Sequence, residues 1–139
     1  MWSNSNKKQR SEKVDTLIGQ HTELHGDIIF TGGLHVDGRI KGNVIAEKDG
    51  ATMLVLSEQG VVEGEIRVPY IVINGQVVGD IYAFESVELA QHARITGNVY
   101  YNRIEVAMGA EVNGSLVHHQ DETDERDHSV GELNVKQAT

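Results

Sequence analysis

One short pattern recurs through the middle of this chain and decides what it can fold into. It reads aliphatic residue, any residue, glycine, any residue, aliphatic residue. It occurs at Leu24/Gly26/Ile28, Ile40/Gly42/Val44, Val62/Gly64/Ile66, Val77/Gly79/Ile81, Ile95/Gly97/Val99 and Val112/Gly114/Leu116. The six glycines are separated by 16, 22, 15, 18 and 17 residues, so six units of about 17 residues fill positions 15–118. Upstream of each motif lies a second apolar pair, Leu34/Val36, Leu54/Leu56, Ile71/Ile73, Val87/Leu89 and Ile104/Val106, with Ile18 alone in the first unit. A third set follows each motif at Phe30, Ala46, Val68, Ala83, Tyr101 and His118. Spacing by two means strands with alternate residues on one face. His25, Lys41, Glu63, Thr96 and Asn113 fall between them and mark the outward side.

A unit of three short strands cannot bury its apolar side alone. The units must therefore stack, each strand pairing in parallel with its counterpart one unit away. The expected fold is an all-β parallel β-helix of about six coils, a rod of roughly 25–30 Å at the usual strand spacing. The surplus of the longest unit falls at Glu47 to Ala51, a polar stretch expected to bulge as a loop, and Pro69 is expected at a corner. The glycines are dispersed one per coil, whereas a phosphate cradle gathers them in one loop that opens a helix. They read as corner residues, followed by the turn formers Asp27, Asn43, Glu65, Asp80, Asn98 and Ser115.

Composition agrees with a narrow core. The 139 residues include 17 Val and 11 Ile against 8 Leu, with 15 Gly, seven aromatics and no Cys. Small β-branched side chains suit stacked strands, and without Cys there is no disulfide, thiolate metal site or Cys nucleophile. No apolar run approaches the roughly 20 residues that span a bilayer, and the start lacks a long apolar signal centre, so a cytoplasmic location is expected. Residues 1–14 carry four bases against one acid, residues 15–117 fourteen acids against six bases, and residues 118–139 six acids against two bases. A basic arm thus precedes an acidic body and an acidic tail, and the net charge of −9 argues against a nucleic-acid partner.

The pattern offers little for catalysis. Hexapeptide acyltransferases repeat their apolar residues every six positions, but here Leu89, Ile95, Val99, Ile104 and Val106 are spaced 6, 4, 5 and 2 apart. An acyltransferase-like trimer using His92 or His35 as base is thereby the weaker alternative. His21 and His25 have a helical metal spacing, yet in a strand they would lie about 13 Å apart. An outward ladder of mixed charges encloses nothing that would shift a pKa, so neither a catalytic residue nor a metal or other cofactor is expected.

The ends carry more information. A solenoid leaves unpaired backbone groups on its terminal coils, and monomeric solenoids cover them with a helix or charged cap. Neither flank offers one: residues 1–14 and 119–139 are polar, without periodicity, and read as disordered. The expected contact surface is Ile18, Leu24, Ile28 and Phe30 at one end and Ile104, Val106, Val112 and Leu116 at the other. End-to-end stacking on these residues would grow a filament whether like or unlike ends meet.

Between Asp15 and Val117 the chain resembles the bactofilins, polymer-forming bacterial cytoskeletal proteins. The resemblance rests on DTLIG at 15–19, TELHGDI at 22–28, LHVDGRIKGNV at 34–44, VVEGEI at 61–66, INGQVVGDI at 73–81, ARITGNV at 93–99 and AEVNGSL at 110–116. It implies a right-handed β-helix that assembles without nucleotide into non-polar filaments on the inner face of the cytoplasmic membrane. There it would scaffold cell-wall synthetic or hydrolytic enzymes or cell-shape machinery, without being an enzyme itself. The start also resembles the membrane-targeting start of many bactofilins: Met1 and Trp2, then Lys7, Lys8 and Arg10. Trp2 could enter the lipid interface while the bases are drawn to anionic headgroups. A monomeric adaptor that binds a wall enzyme through its acidic tail is the remaining alternative.

Overall fold

The period-two apolar spacing forms strands at every place where it occurs. In the computed structural model, which describes residues 14–47 and 51–118, all regular secondary structure is β. The first coil is β1 (Thr16–Ile18), β2 (Glu23–His25) and β3 (Ile28–Phe30); the second is β4 (Gly33–Val36), β5 (Arg39–Lys41) and β6 (Val44–Ala46). The third begins with β7 (Met53–Leu56) and β8 (Val61–Glu63) and enters β9 (Ile66–Ile73). From there β10 (Gln76–Val78), β11 (Ile81–Leu89), β12 (Arg94–Thr96), β13 (Val99–Val106), β14 (Glu111–Asn113) and β15 (Leu116–His118) complete six coils. Every pairing is parallel, between strands of neighbouring coils, in a nine-stranded and a six-stranded sheet. The expected β-solenoid is the observed fold.

Register explains the core. Leu34, Leu54, Ile71, Val87 and Ile104 stack in one inward column and Ile18, Val36, Leu56, Ile73, Leu89 and Val106 in the next. The six-stranded sheet contributes one column, Leu24, Ile40, Val62, Val77, Ile95 and Val112. Within the middle coils these side chains are almost fully buried, as at Leu56, Leu89 and Ile95. Each contributes about 1.5–3 kcal/mol of burial.

Two details depart from the expectation of short separate strands. In coils three to six the last strand of one coil runs on into the first of the next, forming the long β9, β11 and β13. Pro69, expected at a corner, lies inside β9 between the inward Val68 and Ile71. Only Pro69 and Tyr70 link the inward Val68 to the inward Ile71, so the extended backbone bends without a turn. One coil later the same link is a residue longer, and the surplus is absorbed as a register shift at Phe84 and Glu85. Phe84 is left half exposed. Of the expected loop at Glu47 to Ala51, residues 48–50 lie outside the described residues.

The glycine column is a line of backbone contact between coils. A Cβ on Gly97 would collide with the carbonyl oxygen of Gly79, and one on Gly64 with that of Gly42. At Gly97 the φ of 149° adds a second reason for glycine. The residues that follow tie the coils together. Asp27 Oδ1 accepts from Asn43 N at 2.9 Å, and Asn43 Oδ1 from Glu65 N at 2.9 Å. Farther along, Asp80 Oδ1 accepts from Asn98 N at 3.0 Å and Asn98 Oδ1 from Ser115 N at 3.1 Å.

Candidate functional site: the open ends of the solenoid

Parallel pairing between coils satisfies a strand on both edges only where a coil lies on each side. Among the described residues β1, β2 and β3 pair only with β4, β5 and β6, while β14 and β15 pair only with β12 and β13. The second half of β13 likewise pairs only with β11. Among the described residues the strands of both terminal coils thus have one edge without a strand partner.

The eight residues expected at the contact all lie in these two coils, with unequal exposure. At the first coil Ile18 and Phe30 keep only 8% and 9% of their surface, and Leu24 and Ile28 pack against the core half-buried. At the last coil Val106 is 49% and Leu116 36% exposed, with Ile104 and Val112 half-buried. Of these eight residues, those at the C-terminal end are the more exposed. The exposed His118 lies at the end of β15, in register with Tyr101.

The lateral surface carries a different chemistry. Arg39 pairs with Glu63 at 3.1 Å, Lys41 with Glu23 at 3.5 Å, Arg67 with Glu65 at 3.1 Å and Arg94 with Glu111 at 3.4 Å. These pairs lie at the surface, where each contributes little to stability. A hydrogen bond with His25, assisted by Lys41, holds the exposed Glu23 carboxyl below the usual carboxylate range. His35 meets Asp37 at 3.1 Å and His92 meets Glu58 at 3.8 Å, each on the outside of the rod. The two candidate bases therefore have acidic neighbours but no enclosed, desolvated setting. Among the described residues no three His, Asp or Glu converge on a metal position. Met1, Trp2, Lys7, Lys8 and Arg10 lie outside the described residues.

Comparison with known proteins fits this geometry. Residues 16–117, the whole of the coiled region, match the bactofilin family, described as polymer-forming cytoskeletal. The chain belongs to the bactofilin family. It is 31% identical to bactofilin BacO of Myxococcus xanthus (strain DK1622) over 103 residues, 74% of this chain and 79% of that relative. Bactofilin BacP of the same strain is also 31% identical, over 107 residues that make up 76% of this chain and 43% of that longer protein. No solved structure matches. Bactofilins are cytoskeletal structural proteins, so this bactofilin is a self-associating protein. Among its described residues no helix is long and apolar enough to cross a membrane.

Sequence reasoning missed the bonds of the Asp27, Asn43, Asp80 and Asn98 side chains to the next coil. It read these positions as turn formers only, and the polar residue after each glycine was the available signal. It also missed the outward column of Arg67, Tyr82 and Tyr100, in which Arg67 lies 4.3 Å from the Tyr82 ring centre and the two tyrosines stack at 4.6 Å.

Proposed function

We propose that this bactofilin polymerises end to end through its terminal coils, without nucleotide, into non-polar filaments on the cytoplasmic membrane that recruit cell-wall or cell-shape machinery. The observation that carries the reading is that, among the described residues, the strands of both terminal coils have an unpaired edge, with Val106 and Leu116 exposed at the C-terminal one. Stacking there would continue both sheets across the junction and cover Val106 and Leu116. Assembly needs no nucleotide because the glycines are committed to contact between coils and gather into no phosphate loop. The arm with Trp2, Lys7, Lys8 and Arg10 supports membrane attachment, and the family resemblance supports alternating polarity and recruitment of wall enzymes.

Negative-stain microscopy and sedimentation of the purified full chain without nucleotide test the central step. Filaments are expected, and a monomer at every salt and protein concentration would overturn the reading. Leu116→Arg or Phe30→Arg should abolish filaments while the circular dichroism stays that of β structure. Filaments in both variants would move the contact away from the ends.

A further inference from the structure

The inward positions of the two terminal coils are aliphatic or aromatic, apart from Thr16 at one end and His118 at the other. Only His118 can change charge near neutral pH. It closes the column that begins with Phe30, and its ring stands edge-on to Tyr101 with centres 5.5 Å apart and planes at 84°. Nε2 donates to the backbone carbonyl of Asn102 at 3.1 Å. This bond fixes one proton on Nε2 and leaves Nδ1 to take a second.

From this placement we propose that His118 makes the C-terminal end contact pH-sensitive: neutral, it completes an apolar surface that a second copy of the chain covers; protonated, it holds that surface open. The inference rests on the end-to-end reading above. β13, the strand packed against β15, brings Tyr100 and Tyr101 alongside, with Arg103 and Glu105 farther along. The described ion pairs of histidine belong to His25, His35 and His92, and none involves His118. A second rod seated on the end would strip water from a cationic imidazole without giving it a carboxylate of its own coil.

The sign follows from proton counting. The covered end disfavours the imidazolium, so the separated chains bind more protons than the filament, and acid drives them apart. As pH falls, each covered His118 weakens the contact by at most about tenfold per pH unit. If like ends meet, two His118 face one junction and the slope doubles.

The test is the critical concentration for sedimentable filaments of the full chain between pH 8 and pH 5.5 at constant ionic strength. For the wild type it should rise as pH falls, by at most about tenfold per unit for each His118 covered at a junction. His118→Gln, which can still donate to the Asn102 carbonyl, should stay flat. His118→Arg should need a raised concentration at every pH, with unchanged circular dichroism. If Gln disturbs the end, His118→Phe keeps the aromatic edge against Tyr101 and carries the same comparison. A flat wild-type profile, or neutral variants that follow the wild-type acid response, would overturn the inference. No wild-type filaments even at pH 8 would instead overturn the end-to-end reading beneath it.

Discussion

At the scale of single residues, the stack is held closed along the glycine line and the side chains next to it. Gly97→Ala would push a methyl group into the Gly79 carbonyl at a φ of 149°. We expect a loss of about 2 kcal/mol or more, read from urea unfolding in a Leu116→Arg background that isolates the single rod. Asn98 tests the neighbouring ladder, since its Oδ1 accepts from Ser115 N at 3.1 Å. Asn98→Ala should cost about 1 kcal/mol, whereas Asn98→Asp keeps an acceptor and should unfold near the wild-type midpoint. The glycine positions were legible because their recurrence defines the units. The ladder was not, because an Asp or Asn after glycine looks the same in sequence whether it closes its own turn or bonds the next coil.

At the scale of elements, what the sequence showed of each strand was its inward face. Aliphatic pairs spaced by two place Leu54/Leu56 or Ile71/Ile73 in the core without any knowledge of the partner strand. Outward contacts depend on register between units of unequal length, and these emerged only with the pairing of β9, β11 and β13. Arg67, Tyr82 and Tyr100 stand side by side in that register, and the tyrosine rings are 9° from parallel. Truncating Tyr82 and Tyr100 to Ala singly and together should reveal a coupling of about 0.5–1.5 kcal/mol. Burial raises the Tyr82 phenol above the ordinary tyrosine range, with Tyr100, Glu65 and Asp80 adding to the shift and Arg67 opposing it. A raised folded-state pKa means that the folded chain holds its proton longer than the unfolded one. The associated stability is complete below the unfolded value of about 10 and is lost as pH climbs through the folded value. Unfolding midpoints should therefore drop on the alkaline side of pH 10, and Tyr82→Phe should reduce the drop; an equal drop in the variant would assign it to other groups.

At the scale of the whole molecule, six coils with free edges at both ends were legible from the repeat, but the inequality of the ends was not. Ile18 and Phe30 are nearly buried while Val106 and Leu116 stay open, a difference of side-chain packing that the spacing does not encode. The more open end should be the more sensitive one, and breaking it should also disturb attachment to lipid. The proposed arm offers Lys7, Lys8, Arg10 and Lys13. At about 1 kcal/mol for each base near an anionic surface, one arm supplies about 4 kcal/mol, a dissociation constant in the millimolar range before Trp2 is counted. A filament carries one arm per rod, and arms on a shared scaffold bind at high effective concentration. Leu116→Arg should therefore lose cosedimentation with anionic liposomes although its arm is intact, and Trp2→Ala should lose it although its filaments persist. Strong lipid binding by depolymerised Leu116→Arg would show that the arm suffices alone and that attachment does not depend on assembly.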